Sequence, residues 1–160
     1  MLQGEKVEYF MADYIQFNDT LLAFIQAERV ARLATSDAEG HAHVVPVCYA
    51  FDGERFYSPL DEKPKRVGEE QLRRVRNIEA RREAMLLIDR YDDDWSKLGY
   101  VQVWCGAALL QPGKAGHDVA LRLLRERYAQ YRSMSLESHA LIVLTPRRVV
   151  AWGPALTPTR

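Results

Sequence analysis

Several things that would announce a function are scarce in this chain. Its 160 residues include only two cysteines, Cys48 and Cys105, far apart and each inside an apolar, strand-like run. Neither belongs to a Cys-x-x-Cys pair, so zinc-ribbon and dithiol redox readings lack their ligands. Both thiols are expected to be small reduced core residues. No window approaches the roughly 20 apolar residues of a membrane-spanning helix. The opening Met1–Glu8 has no basic-then-apolar signal pattern, so a cytoplasmic protein is expected. Net charge is also lacking, because 22 Lys and Arg balance 22 Asp and Glu, which argues against a polyanion-binding protein as a whole. His41 and His43 can share one strand face, but two ligands do not make a metal site, and none is expected. No Ser-His-Asp or Cys-His arrangement is visible, so no catalytic residue is nominated. No repeat or low-complexity linker interrupts the chain. Residues 1–160 are therefore read as a single domain, with 1–13 a loosely ordered arm.

What is present is a succession of short strands with clear turns. The spacing of Phe17, Leu21, Phe24 and Ile25 predicts an amphipathic helix from Asn18 to about Glu28, capped by Asn18 or Asp19. Strands are expected over Arg29–Ser36 and His41–Phe51, joined by the Asp37–Gly40 turn. Asp52-Gly53 then marks a second hairpin into a strand at Arg55–Ser58. Pro46 cannot donate to a ladder and marks an edge or a bulge. A helix is expected over Glu69–Arg81, strands over Ala84–Tyr91 and Gly99–Leu110, and a second amphipathic helix over Gly116–Tyr131. Two final strands, His139–Leu144 and Arg148–Trp152, flank Thr145-Pro146-Arg147. Mostly short connections imply antiparallel pairing. The fold class is mainly β: a six-to-seven-stranded antiparallel barrel with flanking helices.

Against the neutral background one stretch is strongly cationic. Between the third and fourth strands, within Lys63–Arg82, the cations Lys63, Lys65, Arg66, Arg73, Arg74, Arg76, Arg81 and Arg82 face only Glu69, Glu70 and Glu79. A strand that feeds a basic loop and the first turn of a helix can hold phosphate, since the N–H groups there lack intrahelical partners. A solvated basic helix face is the plainer explanation. Nucleic-acid binding is disfavoured by the neutral net charge and by the lack of interleaved base-stacking aromatics. The acidic loop Asp92–Asp94 lacks the alternating oxygen ligands and glycine turn of a calcium loop. Tyr49 and Tyr57 are possible proton donors, with sheet packing the commoner role for such residues.

The ordered set of segments resembles the pyridoxamine 5′-phosphate oxidase-like split-barrel family. The matching segments are Val30–Thr35, the Asp37–Gly40 turn, His41–Val47, Tyr57-Ser58, Lys63–Arg66, Arg76–Ile78, Met85–Asp89, Asp92–Trp95, Gly106 and Pro146–Trp152. The branch of probable oxidoreductases using the deazaflavin coenzyme F-420 is the most similar. The resemblance implies a homodimer of split barrels with cofactors at the subunit interface. It places Val45, Pro46 and Val47 beside the ring and Tyr57 and Ser58 at the ribityl chain and phosphate. Lys65 and Arg66 would hold the phosphate, with Arg73 and Arg74 as rivals. Trp152 would lie near the cofactor, and Trp95 and Val101 would reach it from the partner subunit.

Departures narrow the activity. Oxidases of pyridoxamine phosphate carry a basic residue at the position of Val45, and Arg and His after the final Trp, where this chain has Gly153-Pro154-Ala155-Leu156. An oxidase proper is therefore not expected. The expectation is an oxidoreductase that passes hydride between bound F-420 and a small unsaturated molecule. The alternatives are an FMN-dependent enzyme of the same fold and a non-catalytic module that binds flavin or haem.

Overall fold

The structure, a computed structural model, describes residues 8–10, 16–60 and 72–156. Its strands are β1 (Glu8–Phe10), β2 (Ala31–Ser36), β3 (Ala42–Val47), β4 (Ala50–Phe51), β5 (Phe56–Pro59), β6 (Glu83–Arg90), β7 (Gly99–Leu110) and β8 (Leu141–Trp152). Three helices join them: α1 (Asp19–Ala27), α2 (Arg73–Arg81) and α3 (His117–Arg127). The strands form one antiparallel sheet in the order β3-β2-β6-β7-β8-β5-β4, with β1 also on β8. Only Cys48 and Tyr49 separate β3 from β4, so both ends of that order fall on one stretch of chain. The sheet curls until its edges meet there, the split barrel expected from the turns. Within the expected loose arm, Glu8–Phe10 pairs with Val149–Ala151.

Most boundaries follow the local chemistry. Asn18 caps α1 by accepting from Leu21 N at 2.9 Å, and the Asp52-Gly53 turn sets Phe51 opposite Phe56. Pro46 lies on β3, an end strand of the order, as its missing donor requires. Three expectations need adjusting. The strand over His41–Phe51 is interrupted at Cys48 and Tyr49. The second amphipathic helix stops at Arg127 and tightens into a 3-10 turn at Ala129–Arg132. The two terminal strands are one twelve-residue strand. Pro146 interrupts nothing because it falls between the part of β8 paired with β5 (Leu141–Leu144) and the part paired with β1 (Val149–Ala151).

The barrel interior is apolar, with Leu33, Phe56, Leu86, Ile88, Val101, Val103, Ile142 and Leu144 all at 0% exposure. Leu21, Phe24 and Ile25 of α1 and Val75 and Ile78 of α2 extend that core. A second cluster lies where α3 covers β4, β5 and the first half of β8, joining Tyr57 and Leu141 to Leu121 and Leu124. Among the described residues no helix covers the opposite part of the outer surface. No described helix is long and apolar enough to cross a membrane.

Tyr49, in the gap between β3 and β4, ties the barrel to α1. Its hydroxyl donates towards Ile25 O at 2.6 Å and Glu28 O at 2.9 Å. The last turn of α1 carries no cation of its own. Arg127 supplies one from α3, donating to Gln26 O at 2.9 Å, to Ile25 O at 3.2 Å and to Glu28 O. Those carbonyls are the unpaired acceptors of a helix end, where a guanidinium also meets favourable dipole potential. Replacing Arg127 by Ala is expected to cost about 2–3 kcal/mol through these charge-assisted bonds. Urea unfolding of the two proteins measures the difference, and a loss under about 0.5 kcal/mol would show the cap to be solvent-replaceable.

Candidate functional site

Two cations of the basic stretch, Arg73 and Arg74, stand at the start of α2, while Arg81 and Arg82 lie at its other end. Leu72 occupies the cap position without a side-chain bond, and the first turn contains no acid. The leading N–H groups of the helix therefore keep their positive potential, and Arg73 and Arg74 add to it. The helix is anchored by buried Val75 and Ile78 and by Asn77 Nδ2, which donates to Thr35 Oγ1 at 3.0 Å. Asn77 and Thr35 are only 4% and 6% exposed, so this polar contact fixes the helix on β2.

His43 sits opposite Thr35 across the β2–β3 ladder. Burial holds its imidazole below the usual histidine range, and the guanidiniums of Arg73 and Arg74 add to the effect. Its Nδ1 is buried with no hydrogen-bond partner among the described residues. A neutral ring with an unused nitrogen beside two arginines and an uncapped helix start is an arrangement suited to an anion.

The outer face of the sheet lies on the other side of these strands. Side chains alternate across the strands, and the ladder registers make rows. One row is Val44–Ala34–Met85–Trp104–Arg148, and the next is Pro46–Arg32–Leu87–Gln102–Val150. Asp89, Tyr100 and Trp152 follow. Trp152 stacks on Tyr100 with ring centroids 5.6 Å apart, and Arg32 lies 3.8 Å from Asp89. This face is apolar and aromatic with few charges, and Val44 on it is 59% exposed.

The residues nominated from the sequence divide among different places. Pro46 and Trp152 share the open face, but four strand intervals, about 19 Å, separate them. Val45 packs partly against the core, while Val47, Ser58 and Val101 are buried. Beside Val101, Tyr100 and Gln102 turn outward. Tyr57 lies under α3, donates to Asp52 Oδ2 at 2.7 Å, and is pushed up to about 12 by burial and that carboxylate. Burial also raises Tyr49, whose proton is already engaged, so neither phenol is a free donor. Trp95 is 70% exposed on the turn after β6. Arg73 and Arg74 stand at the helix start, and Lys65 and Arg66 lie outside the described residues. Sequence reading did not single out His43, Trp104 or Arg147 as site residues. Strand alternation through β7 was the available signal for Trp104.

His41 stands near acids rather than near His43. Ligand atoms of Asp37, Glu39 and His41 lie within 4.8 Å of one another. The turn itself accounts for the cluster, because Asp37 Oδ1 accepts from Glu39 N at 3.1 Å and His41 N at 2.8 Å. The two thiols are free, with Cys105 buried and Cys48 half-buried.

The pyridoxamine 5′-phosphate oxidase family model matches residues 17–153. The chain belongs to this family. Solved structures agree on the fold. HutZ, the haem storage protein of Vibrio cholerae, is 14% identical with a TM-score of 0.64, covering 87% of this chain and 95% of its own. A conserved hypothetical protein of Mycobacterium tuberculosis is 18% identical with a TM-score of 0.66, covering 94% and 95%. An FAD-binding protein of Mesorhizobium loti is 20% identical with a TM-score of 0.57, covering 81% and 87%. No curated protein matches the chain. At such identities the likeness speaks for the family fold and leaves the ligand open.

The His43 corner makes a measurable claim. Because the folded imidazole is harder to protonate than the unfolded one, the unfolded state binds more protons below pH about 6.5. His43 therefore subtracts stability as pH falls through that value and is silent above it. Imidazole NMR titration should place His43 below the ordinary histidine value, and Arg73→Gln with Arg74→Gln should move it upward. An unchanged midpoint in that double variant would remove the arginines as a cause.

Proposed function

We propose that the chain binds a phosphate-bearing flavin-class cofactor, the deazaflavin F-420 or FMN, in a crevice between two copies of the barrel. We further propose that it passes hydride between that ring and a small unsaturated organic molecule. The observation that carries this reading is the corner at the start of α2, where Arg73 and Arg74, the leading N–H groups of the helix and the unpartnered His43 Nδ1 come together. Such a corner suits a phosphate, and the apolar rows on the other side of the same strands offer surface for an extended ring. Trp152 on Tyr100 adds an aromatic wall. Lys65 and Arg66 remain further candidates for the phosphate.

When bound, a flavin-class ring supplies the hydride chemistry. The chain would orient the phosphate with Arg73 and Arg74, exclude water from one ring face with the apolar rows, and keep His43 neutral. Tyr49 and Tyr57 have their protons engaged, so a substrate requiring a proton would take it from solvent. A cytoplasmic homodimer is the expected setting.

Haem storage without turnover is the second reading. It draws on the haem storage name of the Vibrio cholerae neighbour and on the neutral His43 with its free nitrogen, a suitable iron ligand.

Titrating the purified protein separately with FMN, F-420 and haem separates these possibilities by absorbance. Arg73→Ala with Arg74→Ala is expected to weaken flavin-class binding by about 2–4 kcal/mol. Full affinity in that variant, alongside loss in Lys65→Ala with Arg66→Ala, would relocate the phosphate. Haem binding abolished by His43→Ala, with no flavin-class binding, would overturn the oxidoreductase reading.

A further inference from the structure

The β7–β8 ladder contains one irregularity. Trp104 pairs with Arg148 and Cys105 pairs with Pro146, so Arg147 is an extra residue without a β7 partner. Such a bulge breaks the strict alternation of side chains along a strand. Here it places two successive arginines on the same outer face. The Arg148 guanidinium lies over the Trp104 ring, 4.8 Å from its centroid. The Arg147 guanidinium lies over Gly106, where a Cβ would meet its Nη2 at 2.9 Å and its Nε at 3.1 Å. Cys105 and Ala107 on either side of Gly106 point into the core, so that missing Cβ belongs to the outer face. Glycine at this position gives the guanidinium its seat.

A cleft of about 470 Å³ opens beside that seat, lined by Ala34, Ser36, Glu83, Met85, Trp104 and Arg147 among others. Its size falls within the range of small-molecule sites. Glu83 on the rim is paired with Arg81 at 3.2 Å, and Arg147 has no carboxylate partner among the described residues. The cleft therefore keeps a positive potential. Apart from the bulge at Arg147, its floor is paired ladder, which leaves few backbone N–H groups to meet an anion. Donors for an anion come from side chains, Arg147 with Ser36 nearby. That set suits a planar monoanion held by a guanidinium fork better than a phosphate dianion, which draws on backbone N–H groups as well. Met85, Ala34 and the Trp104 indole provide apolar surface for the remainder of such a molecule.

We propose that this cleft is a binding site for a small monocarboxylic acid with an aromatic body, its carboxylate on Arg147 and its ring against Trp104 and Met85. The site takes its charge from Arg147 and not from the cationic corner at α2, and it shares Ala34, Met85 and Trp104 with the apolar rows, so its test uses protein without cofactor.

The test uses full-length protein without cofactor, titrated with cinnamate, with neutral cinnamamide and with inorganic phosphate, followed by tryptophan fluorescence and calorimetry. Cinnamate is expected to bind about tenfold or more tightly than the amide, and Arg147→Gln to remove that preference while leaving the thermal midpoint unchanged. Gly106→Ala, which displaces the guanidinium, should weaken cinnamate severalfold. Equal binding of acid and amide, or unaltered cinnamate affinity in Arg147→Gln, would overturn the proposal. Phosphate displacing cinnamate at equal concentration would also overturn it, by making the cleft a general anion site. Loss of flavin or haem binding elsewhere leaves these readings untouched, so the two proposals fail separately.

Discussion

The β7–β8 ladder is the constraint on which the molecule depends. β8 pairs with β7 along nearly its whole length on one side and shares its other side between β5 and β1. Every strand of the order reaches the barrel through this pair or is attached to it. A proline inside so central a strand would ordinarily cost a ladder bond. Pro146 is tolerated because it stands beyond the pairing with β5, next to the residue at which the register slips. The same slip turns Arg147 outward. One local irregularity thus lets the strand run unbroken and sets the charge pattern of the open face.

The helices then divide the surface into regions with different chemistry. α1 and α2 contribute to the barrel core, and α3 covers one part of the outer sheet. What remains open is a face of aliphatic and aromatic rows, on which two arginines lie flat on glycine and on indole. On the other side of β2 and β3 the start of α2 brings helix dipole, Arg73 and Arg74 together beside a neutral imidazole. Guanidinium groups that rest on a surface lose less freedom on meeting a carboxylate or phosphate than arginines extended into water. Family membership supplies the barrel, while these cationic places are features of this chain's own side chains.

Much of the fold was legible in the residues. Asn18 announced a helix start, Asp52-Gly53 a hairpin, and Pro46 an end strand, because each acts through neighbours a few positions away. The cationic stretch was legible as composition, and its Arg73-Arg74 portion does stand at a helix start. Local signals failed where partners are distant. Thr145-Pro146-Arg147 reads as a break, yet the chain continues as a strand because β7 carries the ladder past the end of β5. The family resemblance implied cofactor contacts at Val101 and Ser58, and in this structure both side chains are buried.

The sequence by itself determined the antiparallel class, the main turns, the cap of α1 and the family, since these rest on short-range backbone preferences and on an ordered set of segments. Tertiary structure alone decided which face of each strand is open, that Arg147 and Arg148 lie on one side, and that His43 meets Arg73 and Arg74. Those outcomes depend on register between strands far apart in the chain, and a shift of one residue would have reversed each of them.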